Sequence, residues 1–207
     1  MHPNLLVVKT FHYWIKNDED LVPSITFVGS VNAILYNNAT PHFVDSELNT
    51  LGVDEKKLRE YLKQNTIIKK KTCYNKKTKK IIRALIVVHI FGHAAEIKKL
   101  KKLSEDFHIP IVEDAAEAIG SYFRDKHLGT YGKVGILSFN GNKTITTGGG
   151  GALMTDDKRL ALNAKHLTTT AKLPHKWEYI FKEIGYNFRM PNINAALGLA
   201  QLKKLKL

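Results

Sequence analysis

The feature that most constrains this chain is a set of short, continuous apolar runs set between polar, helix-patterned stretches. Residues 84–90 read ALIVVHI, 109–114 read IPIVED, 134–139 read VGILSF and 151–156 read GALMTD. A strand with one face in water alternates apolar and polar residues. A run that is apolar at nearly every position is buried on both faces, the mark of a parallel sheet covered by helices. The intervening stretches supply helices: 94–107 (AAEIKKLKKLSEDF) is amphipathic, and 54–62 (DEKKLREYL) starts with Asp54 placed to cap its first turn. Further upstream, 21–28 (LVPSITFV) opens with a short apolar run, 31–36 is helical in pattern, and 41–45 (PHFVD) reads as a short strand. This alternation predicts an α/β fold with a mostly parallel sheet.

A length of 207 residues suits one large domain or two small ones. No stretch approaches the roughly 18 uninterrupted apolar residues of a membrane span. The opening MHPNLLVVKTF has too short an apolar run, and no basic first segment, for a signal peptide. The single cysteine, Cys73, excludes an intramolecular disulfide framework and any Cys-only zinc cluster. It also suits a reducing, cytoplasmic setting. The formal charge is +13, from 32 basic and 19 acidic residues. The excess is almost all lysine and concentrates in 63–83 (KQNTIIKKKTCYNKKTKKIIR), with a second cluster, KKLKL, at the end. Arginines and interleaved aromatics, which read and stack on bases, are scarce there. That stretch is therefore expected to be a solvated loop, with a phosphate-binding patch as the alternative. Neither a nucleic acid nor a membrane is expected as partner.

In open α/β sheets, ligands bind at the carboxyl ends of the strands. Asp114 directly follows an apolar strand. A carboxylate there can hold a cationic ring nitrogen, or it can cap a helix begun by AAEAIG. Lys143 follows another strand within SFNGNKTITTGG. Desolvated, it is a candidate Schiff-base nucleophile; otherwise it is one surface lysine among many. Ser138 could take a phosphate, and the four glycines of 148–151 let the backbone pass close to a ligand. A phosphate-binding G-x-x-x-x-G-K-[ST] loop is excluded, because Gly141 is followed by Asn142 and Gly135 lies one residue too far upstream. His89 and His93 are four apart but straddle a strand end and a glycine, and no third ligand offers itself, so no metal is expected. Residues 193–202 have the apolar spacing of a packed helix. The preceding Asn187 and Arg189 suit phosphate or carboxylate recognition.

Together these pieces resemble one family. VEDAAEAIGS, GTYGKVGILSFNGNKTITTGGGGALMTDD and GYNFRMPNINAALGLAQL stand in the order and spacing of the DegT/DnrJ/EryC1/StrS sugar aminotransferases. VPSITFVGSVNAILYNNATPHFVD and VVHIFGHAAEIKKL match as well, so the resemblance covers about residues 17–205. It implies a three-layer α/β/α sandwich, the large domain of the type I fold of pyridoxal-phosphate enzymes. It implies pyridoxal 5′-phosphate as cofactor, a nucleotide-linked 4-keto-6-deoxy-sugar as substrate and glutamate as amino donor. The segment LTTTAKLPHKWEYIFKEIGYNFRMPN is most similar to the legionaminic-acid branch. The implied roles are specific. Lys143 attaches the cofactor and then moves the proton; Asp114 pairs with the ring nitrogen. Glu117 falls near the ring hydroxyl, where the family usually has Gln or His. Ser138 binds the phosphate, Phe27 stacks on the ring, and Asn187 reaches the phosphate of a partner subunit, which implies a homodimer.

The departures carry expectations too. The family places a Ser-Gly-Thr turn upstream of the LVPS segment, and nothing in residues 1–20 supplies it. The sequence stops in the helix after AALGLAQL, where the family continues into a smaller domain. Residues 1–20 are therefore expected to be a divergent remnant and 21–207 an incomplete cofactor-binding domain. The expected activity is impaired transamination, with a non-catalytic fragment or dimer partner of an intact aminotransferase as the alternative.

Overall fold

A computed structural model describes residues 18–181 and 183–205, so most of the expected remnant, residues 1–17, lies outside the described residues. Ten strands and five α-helices follow in order: β1 (Glu19–Pro23), α1 (Val28–Tyr36), β2 (Thr40–Val44), α2 (Glu55–Asn65), β3 (Thr66–Lys69), β4 (Thr72–Asn75), β5 (Ile82–Val88), α3 (Ile97–Phe107), β6 (Ile111–Asp114), β7 (Tyr122–Phe123), β8 (Lys126–His127), β9 (Val134–Ser138), β10 (Gly151–Met154), α4 (Lys158–Thr168) and α5 (Asn192–Leu202). β1 opens at Glu19, so the sheet begins two residues ahead of the expected domain boundary.

Six strands form the central sheet in the order β10-β9-β6-β5-β1-β2. Every neighbouring pair is parallel except β9–β10, which is antiparallel, with Gly151 opposite Ser138. The predicted mostly parallel α/β sheet is what the chain forms. Its central strands are buried along their length, as their unbroken apolar runs require: Leu85, Val87, Val112, Val134 and Ile136 are all buried. Two apolar layers sandwich the sheet. On one face Leu21, Leu85 and Val87 meet Leu58 and Leu62 of α2 and Ile97, Leu100 and Leu103 of α3. On the other, Val22, Ile86, Val112 and Ile136 meet Ile34 of α1 and Leu160 of α4. Each fully buried Leu or Ile contributes roughly 1.5–3 kcal/mol.

Local chemistry sets the helix boundaries. Asp54 caps α2 by accepting the Lys57 N–H at 3.1 Å, as the sequence predicts. Asp157 caps α4, accepting from Arg159 and Leu160 N–H. α3 ends where His108 turns left-handed, at φ 53°. In β9, a side chain at Gly135 would place its Cβ 1.8 Å from the Gly129 carbonyl oxygen, so only glycine lets the 129–132 loop lie against the sheet.

Two expectations fail. The lysine-rich stretch is no loop: α2 runs to Asn65, and β3 and β4 then form an antiparallel hairpin. Its inward residues pay for the order. Thr66, Cys73 and Asn75 are buried, and Asn75 Nδ2 donates to Glu19 Oε2 at 2.8 Å, while the lysines project outward. Secondly, α5 forms but adds nothing to the core: it is tied to the 146–147 loop by Asn194 Nδ2 donating to Thr147 O and Gln201 Nε2 donating to Thr146 O. None of its residues is buried, and Ile193 is 85% exposed.

Candidate active site

The carboxyl ends of β5, β6 and β9 surround a cavity of about 370 Å³. That is within the range of small-molecule sites. Five predicted residues line it together: Phe27, Asp114, Glu117, Ser138 and Lys143. The sixth, Asn187, does not. It is exposed and lines a separate groove beside α4 with Arg189.

Asp114 is the last residue of β6 and is 4% exposed. Its Oδ2 accepts the hydroxyl of Ser30 on α1, and its Oδ1 accepts the Ala116 N–H at 3.2 Å. The alternative reading of Asp114 as a helix cap is not realised, because no helix follows; the residues 115–120 form turns. The two hydrogen bonds fix the carboxylate's direction at the cavity wall. Ser30 is fully buried and was invisible to sequence reasoning. It sits 84 positions away within an apolar helix, and no local pattern ties it to Asp114.

Lys143 follows the end of β9 on a loop folded back by its own N–H, which donates to Asn140 O at 3.1 Å. Its ammonium meets Glu117 Oε1 at 3.0 Å. The lysine side chain is 18% exposed, so it points into the cavity rather than into bulk water. Glu117 is in turn held by the Phe91 N–H, which donates to Oε2 at 3.0 Å. That amide is aimed by a left-handed turn, with φ 53° at Phe91 and 81° at Gly92. A Cβ at Gly92 would lie 2.8 Å from the Glu117 carbonyl oxygen, so the turn fits closely under Glu117. Ser138 ends β9 and is nearly buried; its Oγ accepts the Asn140 N–H at 3.4 Å. Phe27 precedes α1, and its ring is 66% exposed at the cavity.

Behind the site lies a pair that sequence reasoning did not find. Glu113 and Asp114 are adjacent on a strand, so their side chains leave opposite faces. Glu113 Oε2 meets His89 Nε2 at 2.9 Å, with both side chains fully buried. The Ala95 N–H donates to His89 Nδ1 at 3.3 Å, which leaves Nε2 to carry the hydrogen and donate it to Glu113. Glu113 also accepts from the Gly129 and Gly132 N–H groups. Burial pushes the Glu113 carboxyl up, but the His89 hydrogen bond and the two backbone amides outweigh it, so it ionises below its ordinary 4.5. His89 is thus a buried hydrogen-bond donor. Among the described residues no group of three His, Cys, Asp or Glu side chains could hold a metal ion.

A strand-end carboxylate, a lysine amine and a strand-end hydroxyl thus converge on one cavity. The chain matches the DegT/DnrJ/EryC1/StrS aminotransferase family over residues 5–207, and it belongs to that family. It is 38% identical over 189 residues to the GDP-perosamine synthase of Escherichia coli O157:H7, covering 91% of this chain and 47% of that protein. It is 37% identical over 190 residues to EpsN of Bacillus subtilis (strain 168), described as a putative pyridoxal phosphate-dependent aminotransferase, covering 92% and 46%. Among solved structures it is similar to Helicobacter pylori PseC, an aminotransferase of pseudaminic-acid biosynthesis, with TM-score 0.81, 28% identity and coverage of 97% and 51%. The chain spans about half the length of the relatives it matches. The fold is the type I fold of pyridoxal-phosphate transferases, and pyridoxal 5′-phosphate is the family's cofactor. The donor set in the cavity fits that group: Asp114 offers a carboxylate for the protonated ring nitrogen, Lys143 an amine for the aldehyde, and Ser138 a hydroxyl for the phosphate.

Proposed function

We propose that this chain carries the cofactor-binding half of a nucleotide-sugar aminotransferase, transferring the amino group of glutamate to a nucleotide-linked 4-keto-6-deoxy-sugar for surface-glycan synthesis. The observation that carries it is that Lys143 and Asp114 open into one cavity with Ser138. When bound, the cofactor supplies an electron sink for the bond broken at the amino-bearing carbon. The chain's own residues do the rest. Asp114, oriented by Ser30 and the Ala116 N–H, keeps a proton on the ring nitrogen. Lys143 would hold the cofactor's aldehyde through its amine and would carry a proton to and from the reacting carbon. Ser138 would hold the phosphate, Phe27 would cover one ring face, and Glu117 would face the ring hydroxyl.

Asn187 acts in the partner's site of a homodimer in this reading. Its exposure and its place outside its own subunit's cavity support that assignment. The legionaminic-acid branch is the substrate assignment, supported by the segment 167–192 and its likeness to that branch. The expected place of work is the cytoplasm; among the described residues no helix is long and apolar enough to cross a membrane.

The test is an absorbance spectrum with added pyridoxal 5′-phosphate. A band from the cofactor's covalent attachment that disappears in Lys143→Ala supports the assignment. No such band in the unmutated protein at saturating cofactor sinks it.

A further inference from the structure

The hairpin β3–β4 does something the cofactor site does not need. Between Glu60 and Glu96 the sequence contains no acidic residue, yet it holds Lys63, Lys69, Lys70, Lys71, Lys76, Lys77, Lys79, Lys80 and Arg83. Among the described residues none of these eight lysines forms an ion pair, whereas Lys57, Lys99, Lys102, Lys133 and Lys143 all do. The two ammonium groups that are held are held by neutral oxygens, Lys76 by Gln64 O at 2.8 Å and Lys80 by Thr40 Oγ1 at 3.0 Å. Their charge is therefore left uncompensated on one stretch of chain: Lys63 on α2, Lys69, Lys70 and Lys71 on the β3–β4 hairpin, and Lys76, Lys77, Lys79 and Lys80 in the connection to β5.

The tip is built at a cost. Lys69 pairs with Thr72, so Lys70 and Lys71 form a two-residue turn, and both are left-handed, at φ 47° and 59°. Such a turn favours Asn-Gly, because only those residues adopt positive φ cheaply. Two lysines in those places keep positive charge at the tip against the local preference. Beside them Ile67 and Ile68 are exposed. Tyr74 is the hairpin's sole aromatic, so the platform that stacks single-stranded bases is missing.

The hairpin also sits at the far end of the sheet from the cavity. Asn75 binds Glu19, the first residue of β1, and Tyr74 bridges to Ile81 just before β5. The cavity lies at the other end of β5, about 20 Å away at ~3.3 Å per residue. A surface engaged by the lysines leaves the cavity mouth open.

We propose that the β3–β4 hairpin and the connection that follows it form a docking surface for the anionic face of a lipid bilayer, with the lysines on the headgroups and Ile67, which points away from the face that buries Cys73, entering the interfacial layer. This departs from the sequence expectation that a membrane is not a partner. A folded hairpin with a charged tip and an outward isoleucine fits association with a charged membrane surface.

The test is co-sedimentation of the full chain with vesicles of phosphatidylcholine alone and of phosphatidylcholine mixed with phosphatidylglycerol. Binding is expected on the mixed vesicles and not on the neutral ones, falling steeply with salt. The double variant Lys70→Asn/Lys71→Gly relieves the turn, so it folds at least as well, and is expected to bind about tenfold or more weakly. Lys77→Gln/Lys79→Gln provides a second, independent loss of charge with the tip intact. Equal binding to neutral vesicles, no binding to either, or unchanged binding in both variants overturns the proposal. So does tighter binding to DNA or RNA than to the mixed vesicles at equal salt, which assigns the patch to nucleic acid. None of these outcomes depends on the aminotransferase assignment.

Discussion

Glu113 and Asp114 are neighbours in sequence with opposite tasks. Asp114 turns to the cavity, and Glu113 turns to His89 and two backbone amides in a dry layer. Removing one partner of such a buried hydrogen bond leaves the other unpaired, at a typical cost of about 1–3 kcal/mol. Glu113→Gln is expected to lower the urea midpoint at neutral pH accordingly. The pH dependence has a definite sign. A carboxyl whose folded pKa is depressed below 4.5 contributes stability that is present above 4.5 and lost as pH falls through the lower folded value. Urea titrations on acidification should therefore show a slope in the unmutated protein that Glu113→Gln lacks; an equal slope in both would refute this account. Ser30→Ala belongs to the same scale. It frees Asp114 from one of its hydrogen bonds, and it is expected to weaken cofactor binding, measured by equilibrium dialysis, more than it lowers thermal stability.

At the scale of elements, the sequence showed most of what formed. The buried strands were legible because apolar runs such as ALIVVHI have one explanation in a covered sheet. α2 was legible because Asp54 both ends the preceding loop and accepts the Lys57 N–H. Asp54→Ala should cost about 1 kcal/mol in denaturant unfolding. The hairpin was not legible, since eight lysines hide a two-residue turn made of the wrong residues. What orders it is remote: Asn75 reaches Glu19 across 56 positions, and Cys73 enters the core. The antiparallel placement of β10 was likewise unreadable, because GALM looks the same in either direction. In the site, Asp114, Ser138 and Lys143 were legible as polar residues ending apolar strands, whereas Ser30, Phe91 and His89 act through folded neighbours. Gly135→Ala tests the tightest of those neighbourhoods. It drives a methyl into the Gly129 carbonyl and is expected to prevent the soluble fold, as read by circular dichroism.

For the molecule as a whole, the decisive feature is the bare helix α5. Its eleven residues bury no side chain, and what ties it to the sheet is polar, the bonds of Asn194 and Gln201 to the 146–147 loop. Its exposed Ile193, Leu197, Leu199 and Leu202 lie close in sequence to exposed Trp177, Tyr179 and Ile184. An apolar area of that kind drives association. Sedimentation velocity should show a concentration-dependent mass above the monomer's 23.4 kDa, and Leu197→Lys/Leu199→Lys should shift it toward the monomer.

The sheet's other margin behaves differently. Among the described residues β2 closes it, and Thr40 donates its N–H inward to Asp18, so the next nitrogen, that of Pro41, faces outward with no hydrogen to offer. A foreign strand seeking to extend the sheet there meets a gap in the ladder at the second rung. Pairing of a second strand along that flank is thereby disfavoured by a single imino acid.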